Sequence, residues 1–129
     1  MEFELLRAPP ERQHIDRYGP GSFLVSGVRF SGSILVFAER CAPWPVRGMG
    51  EVDAAALEPV LRAEPAIDLL LLGTGATFRP PPAAVREALR GAGIALEPMP
   101  TAAACRTFNL LLAEERRVAA ALIALPGRS

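Results

Sequence analysis

The sequence predicts a single α/β domain that spans residues 1–129. The chain is long enough to bury one core without disulfide or metal staples, and 50% of its residues are hydrophobic. Its N-terminal part consists of short apolar runs broken by glycine, which is typical of paired β-strands. Its C-terminal part alternates strand-like and helix-like segments, which favours a sheet covered by helices.

The first predicted element is a β meander between residues 15 and 37. Its apolar runs are separated by Ser-Gly pairs at 26–27 and 31–32, and glycine readily adopts the positive φ of tight turns. Within the meander, Val28–Phe30 alternates apolar and basic residues. This alternation predicts a half-buried strand with Arg29 on the opposite face.

Proline flanks the single tryptophan in the next segment. Pro43 and Pro45 lack backbone N–H donors, so Cys41–Val46 is predicted to be an extended edge or a loop rather than a central strand. Trp44 is predicted to cover the sheet edge. An exposed apolar edge that carries Trp44 is also a candidate partner-binding surface.

A helix is predicted to begin after Asp53, a good N-cap residue, and to reach about Ala63. Pro59 lies too deep in this segment for an uninterrupted helix, because proline removes a backbone hydrogen bond. The helix therefore either begins near Glu58 or bends at the proline.

The run Ile67–Leu72 is nearly all apolar and ends at Gly73, as in a strand that is covered on both faces. It is predicted to be the central strand of the sheet. The following pattern predicts a helix over Ala83–Arg90 and a short strand over Ile94–Glu97.

The C-terminal part adds a helix and a strand. Thr101 is a good N-cap residue, and a helix is predicted from it to about Glu114. The apolar arc of this helix contains Cys105, which predicts a buried and inert thiol. Residues 118–125 form an apolar, alanine-rich run that by itself fits either a helix or a strand, and the alternation before it favours a closing strand.

Composition excludes several chemistries. All 14 basic residues are arginine, so catalysis through a lysine Schiff base and a Walker-type phosphate lysine are both excluded. His14, Cys41 and Cys105 are too few and too far apart for a metal cluster, so no metal site is expected. His14 is predicted to lie on the surface. No cofactor is expected, and the residues alone do not indicate a reaction.

Charge and hydropathy also restrict the partners. The 14 acidic and 14 basic residues are interspersed, which argues against nucleic acid as the main partner. No run reaches 18 apolar residues, so no transmembrane segment is expected. Met1–Arg7 lacks the regions of a signal peptide, and no mitochondrial presequence is recognisable. We therefore expect a cytoplasmic, bacterial protein with reduced cysteines.

The first candidate ligand site is the turn formed by Gly73, Thr74 and Gly75. It follows a buried strand, and its backbone N–H groups could hold an anion at the carboxyl edge of a parallel sheet. The turn departs from the dinucleotide fingerprint because Phe78 stands where a third small residue belongs. A purely structural turn is the alternative interpretation.

The second candidate lies on the helix predicted to begin at Thr101. Arg106, Thr107 and Asn109 are polar residues on a mostly apolar helix, and buried polar groups need partners. They are predicted either to bind a ligand or to bond within the fold, with Arg106 paired to a carboxylate. If this helix faces the Gly73–Gly75 turn, the two candidates form one pocket.

Three segments in fixed order carry a family resemblance, namely Leu69–Gly75, Met99–Asn109 and Glu114–Leu122. Together they resemble the Mth938-like domain family, formerly known as domain of unknown function 498, over nearly the whole chain. The resemblance implies a three-layer α/β fold with a mixed central sheet, a last strand antiparallel to its neighbours and an additional N-terminal β layer. It also implies participation in assembling respiratory complex I (NADH:quinone oxidoreductase), because the family includes a mitochondrial assembly factor of that complex.

Two hypotheses for function follow. The first is a non-catalytic interaction protein that helps to assemble complex I, with subunits or assembly intermediates as partners and Trp44 at the docking surface. The second is an anion or small-molecule binder, or an enzyme, that uses the pocket of the two candidate sites. The first is favoured because it combines the resemblance with the lack of a catalytic motif.

Overall fold

The computed structural model describes residues 12–127. Met1–Arg7, on which the exclusion of a signal peptide rests, lies outside the described residues. None of the helices that residues 12–127 form combines the length and the hydrophobicity of a membrane span.

The described residues form eight strands and three α-helices. The strands are β1 (Ile15–Gly19), β2 (Ser22–Val25), β3 (Val28–Ser31), β4 (Ile34–Val36), β5 (Cys41–Pro43), β6 (Leu69–Gly73), β7 (Ala95–Met99) and β8 (Val118–Leu122). The helices are α1 (Glu58–Leu61), α2 (Ala83–Gly91) and α3 (Thr101–Ala113), and short 3-10 turns lie at Met49–Glu51 and Ala55–Leu57.

The large sheet has five strands in the order β5-β4-β8-β6-β7. Strands β6, β7 and β8 run parallel, because the crossover helices α2 and α3 return the chain to the same edge. Strands β4 and β8 are antiparallel, so the sheet is mixed, as predicted. The expectation that the last strand is antiparallel to its neighbours is correct for β4 and wrong for β6. Strand β6, which was predicted to be the central strand, is fully buried inside the sheet as expected. The middle position of the five strands, however, belongs to β8.

The small sheet is the predicted N-terminal β layer. Strands β1, β2 and β3 pair in an antiparallel meander, with Phe23 opposite both Tyr18 and Phe30. Phe23 and Val25 are buried in the core. The predicted half-burial of strand β3 holds only in part. Phe30 packs against the core, but Val28, beside the hairpin turn, is 55% exposed.

The large sheet is covered on both faces. Helix α2 and the connection between β5 and β6 cover one face, while helix α3 and the small sheet cover the other. The largest fully buried side chains belong to the two apolar cores, one on each face of this sheet: Phe23, Phe108, Ile34, Leu57, Leu70, Leu71, Leu72, Leu89 and Leu122. The fold is therefore the three-layer α/β arrangement that the family resemblance implies.

The segment after Asp53 resolves the two alternatives left open by Pro59. The Asp53 carboxylate accepts a hydrogen bond from the backbone N–H of Ala56 at 2.8 Å, so it contacts a 3-10 turn over Ala55–Leu57 and not the N-terminus of an α-helix. Helix α1 begins at Glu58, and Pro59 lies in its first turn, where a missing N–H costs little. The late start is therefore confirmed.

Candidate functional site

The Gly73–Gly75 turn lies where the three parallel strands end. Gly73 stands opposite Met99 of β7 and Leu122 of β8 in the sheet register. A Cβ atom built on Gly73 would lie 2.9 Å from Thr101 Oγ1 and 3.0 Å from Leu122 Cδ2. Glycine is therefore required here by the close approach of helix α3 to strand β6.

Thr101 connects this turn to the rest of the sheet. Its hydroxyl accepts a hydrogen bond from the N–H of Gly75 at 2.9 Å and donates one to the carbonyl of Ile123 at 2.7 Å. The predicted N-cap role is wrong: Pro100 precedes the helix at the cap position, and Thr101 is the first helical residue. Its side chain is fully buried and bonds to two other segments instead.

Thr74 is bonded within the turn and to the neighbouring strand. Its N–H donates to the carbonyl of Met99 at 2.8 Å. Its hydroxyl donates to the carbonyl of Thr77 at 2.7 Å and accepts from the N–H of Arg79 at 3.1 Å. The N–H groups of Thr74 and Gly75 are thus directed to protein acceptors, which favours the structural-turn alternative over an anion cradle.

Arg106 and Asn109 bind a different part of the molecule. The Asn109 side chain accepts from the N–H of Ile15 and donates to the carbonyl of the same residue, both at 2.9 Å. Arg106 donates to the hydroxyl of Tyr18 at 2.8 Å, a phenol rather than the predicted carboxylate. Thr107 lies half-buried between them on α3.

The two candidate groups therefore do not converge through their hydrogen bonds. The first turn of α3 does face Gly75, through Thr101. Farther along the helix, Arg106 and Asn109 bond to strand β1 of the small sheet. These contacts therefore do not bring the two groups together in a single pocket. Ligand binding at either group stays a prediction.

Trp44 is not the exposed docking residue that the sequence predicts. Its side chain is only 3% exposed and packs in the core that includes Leu35 and Leu57. Its indole N–H donates to the carbonyl of Ala56 at 2.8 Å. A large apolar ring next to edge strand β5 gains more from folding over the sheet than from exposure, and its one polar atom finds a partner there.

Cys105 and His14 lie where the sequence predicts them, in the core and on the surface respectively. Cys105 is buried, and burial raises the pKa of its thiol to about 12. Burial likewise raises the pKa of Cys41 to about 12. The His14 side chain is 64% exposed and lies 3.1 Å from the Asp16 carboxylate. Residues 12–127 contain no group of three or more histidine, cysteine or acidic residues that could hold a metal ion.

Sequence reasoning missed two surface features. A cleft of about 80 Å³ lies at the opposite end of the sheet, beside Arg117, where the Arg40 guanidinium stacks 4.0 Å from the Phe37 ring centre. It is well below the several hundred Å³ of a typical small-molecule pocket. The second feature is Leu110, which is 61% exposed on helix α3. Its position among the polar residues of the helical wheel was the available signal.

Comparisons with known proteins agree with this fold. A family model described as a protein of unknown function (DUF498/DUF598) matches residues 15–123. A protein from Rhodobacter capsulatus, named only as uncharacterized, is 42% identical over 113 residues, which cover 88% of this chain and 86% of that protein. The solution structure of a Mth938-like domain from Bordetella pertussis has a TM-score of 0.81 and 29% identity, covering 95% of this chain and 91% of that one.

A named relative comes from zebrafish, Danio rerio. The protein called NADH dehydrogenase (ubiquinone) 1 alpha subcomplex assembly factor 3 is 38% identical over 112 residues, which cover 87% of this chain. The match covers 64% of the zebrafish protein, so this chain spans about two thirds of its length. The family match, these identities and the shared architecture confirm the resemblance. The chain belongs to the DUF498/DUF598 family and has a Mth938-like fold.

Proposed function

We propose that this protein is an interaction protein that takes part in the assembly of respiratory complex I. Its partners are complex I subunits or assembly intermediates. The observation that carries the proposal is the extent of similarity to animal proteins named as complex I assembly factors, which are 31–38% identical. The zebrafish match covers 87% of the chain, so the likeness extends over the whole domain rather than one motif.

The hydrogen bonds of the polar residues support an interaction role. Thr74 and Thr101 hold the edge of the sheet together, and Asn109 ties helix α3 to strand β1. Each of these side chains has a structural partner that accounts for its presence. The chemistry that distinguishes the protein is therefore expected on its surface, where a partner can contact it.

Deletion of the gene tests this proposal in cells that contain complex I. We expect assembled complex I, measured on native gels, and NADH-dependent quinone reduction to fall together. Succinate dehydrogenase, measured in the same membranes, should be unchanged, and the intact gene should restore complex I. Normal complex I levels in the deletion strain would contradict the proposal.

Affinity capture provides the physical counterpart of the genetic test. The tagged protein is captured at its endogenous level from detergent-solubilised membranes and from cytosol, and co-purifying proteins are quantified by mass spectrometry. We expect complex I subunits or assembly intermediates to be enriched over an untagged control in at least one fraction. Lack of enrichment in both fractions would argue against direct participation.

A further inference from the structure

The solvent-facing side of helix α3 is unusually poor in charge. Among the 13 residues of this helix, Arg106 is the one charged side chain. Leu110 lies one turn after Arg106 and is 61% exposed, more than Tyr18, Val28 or Phe78. Because residues four apart are neighbours on a helix, Arg106 and Leu110 form one continuous surface. Ala103 and Ala113 extend the same row by one turn at each end.

Tyr18 of strand β1 joins this surface through its hydrogen bond to Arg106. The phenol oxygen lies 2.8 Å from the guanidinium, and the tyrosine is 36% exposed. Asn109 fixes the helix against the same strand through both polar groups of Ile15. The Tyr18 and Arg106 side chains are thus bonded to each other before any partner arrives, which lowers the entropy cost of ordering them on binding. We define the α3 face by its members: Tyr18, Ala103, Arg106, Leu110 and Ala113.

The charge of the α3 face indicates what covers it. Within residues 12–127, Arg106 makes no ion pair with a carboxylate. One of the five N–H donors of the Arg106 guanidinium is used in the hydrogen bond to the Tyr18 hydroxyl. A partner carboxylate can accept two of the remaining donors side by side. A second copy of this chain is a poor occupant, because a two-fold contact through this face would bring two Arg106 side chains together.

We propose that the α3 face binds an amphipathic helix of a partner protein. Apolar residues of that helix contact Leu110 and the Tyr18 ring, and an aspartate or glutamate among them pairs with Arg106. The small side chains of Ala103 and Ala113 let the partner helix approach closely on both sides of Leu110. Tyrosine and arginine are also the residue types that contribute most often to binding energy at interfaces. This proposal rests on the proposed interaction role and specifies its surface.

Site-specific photocrosslinking tests the occupant directly. Benzoylphenylalanine is placed at position 110 in the full-length protein, the cells are irradiated, and the crosslinked peptide is sequenced. The matched control carries the same probe at Ala84, which is exposed on helix α2. We expect position 110, and not position 84, to crosslink to one partner segment with helical apolar spacing and an acidic residue.

Charge reversal tests the ion pair with the segment thus identified. We expect Arg106→Glu to weaken binding of the purified protein to that segment at least about tenfold, as is typical for a central interface residue. Reversal of the partner carboxylate to arginine should restore binding to the Arg106→Glu variant. The control Arg86→Glu makes the same change on the exposed side of α2 and should leave binding unchanged. All variants should keep their unfolding midpoint within about 3 °C, because the residues are exposed.

Three results would overturn the proposal: crosslinking at position 110 to a second copy or to lipid, no crosslink, or binding that is insensitive to Arg106→Glu. Failure of the proposed function is distinguishable from these. If deletion leaves complex I intact but the crosslink and the charge-swap rescue hold, the surface stands and the complex I role fails. If complex I depends on the protein but the Arg106→Glu strain assembles it normally, the role stands and the surface is wrong.

Discussion

The hydroxyl of Thr101 brings together three segments that are distant in the sequence. It accepts from the Gly75 N–H after strand β6 and donates to the Ile123 carbonyl after strand β8, while its own residue begins helix α3. Gly73 permits this meeting, because any larger residue would contact the threonine. This buried oxygen atom therefore holds the first turn of helix α3 to the segments that follow strands β6 and β8.

We expect Thr101→Val to destabilise the protein by about 2–4 kcal/mol, because it leaves a buried donor and a buried acceptor without partners while keeping the side-chain shape. Urea unfolding followed by circular dichroism measures this difference. Thr107→Val is the matched control on the same helix, since the Thr107 hydroxyl makes no hydrogen bond within residues 12–127. Equal stability of the two variants would show that the Thr101 hydrogen bonds contribute little.

The role of Thr101 could not be predicted from the sequence, although its importance could. Threonine before a helix is a common N-cap, and that local rule suggested capping. Its actual partners are 26 and 22 residues away, so only the assembled sheet brings them into reach. The prediction that Trp44 is exposed was wrong for the same reason. The carbonyl that accepts from its indole N–H belongs to Ala56, which lies 12 residues farther along the chain.

Among the elements, helix α3 and strand β1 are joined by two side chains of the helix, Arg106 at an exposed hydrogen bond and Asn109 at a part-buried pair. Asn109 satisfies both the N–H and the carbonyl of Ile15, as a neighbouring strand would. The asparagine thus closes an edge of the small sheet at this position and fixes its distance from the helix.

We expect Asn109→Ala to destabilise the protein by about 1–3 kcal/mol, because it leaves both backbone groups of Ile15 without a protein partner. Amide hydrogen exchange should accelerate at Ile15 more than in strand β6. Arg106→Ala, which removes an exposed hydrogen bond from the same helix, should change stability by about 0.5 kcal/mol or less. Unchanged exchange at Ile15 would contradict this account of the link.

The elements themselves were predictable to the extent that local pattern determines them. The apolar run of β6, the helical faces of α2 and α3 and the proline near the start of α1 each carry their own signal. The direction of β8 relative to β6 and β4 is not local, because it depends on which strands the crossover helices bring together. The helical wheel of α3 places Leu110 among polar residues, but its exposure depends on which faces of the helix the sheet and strand β1 cover, and that is a tertiary property.

For the molecule as a whole, the two candidate ligand groups stabilise different sheets. The Gly73–Gly75 turn is bonded at the edge of the large sheet, and Arg106 and Asn109 are bonded to the small sheet. We therefore expect phosphate, sulfate, carboxylates and nucleotides to leave the thermal unfolding midpoint unchanged within about 1 °C. The Thr74 and Gly75 N–H groups already have protein acceptors, which is the physical reason. A concentration-dependent rise that is lost in Arg106→Ala would instead support the predicted anion pocket.

Alkaline pH is expected to destabilise the whole fold through its two thiols. Burial raises the pKa of Cys41 and Cys105 from 9.0 to about 12. Between these values the unfolded chain releases thiol protons that the native fold retains. Stability is therefore fully present below pH 9 and falls as the pH rises toward 12, by up to about 1.4 kcal/mol per pH unit for Cys105 and by less for Cys41, because water screens the charge of this more exposed thiol.

The absence of lysine makes this effect measurable. Arginine keeps its charge throughout the range, and Tyr18→Phe removes the single phenol, so the thiols dominate the remaining pH dependence. Urea unfolding in that background, from neutral pH to about pH 11, should show a falling free energy of unfolding. Adding Cys105→Ala should make the slope shallower, whatever its effect on stability at neutral pH. An unchanged slope would mean that Cys105 ionises equally well in the folded and unfolded states, and that the layer between α3 and the sheet admits water.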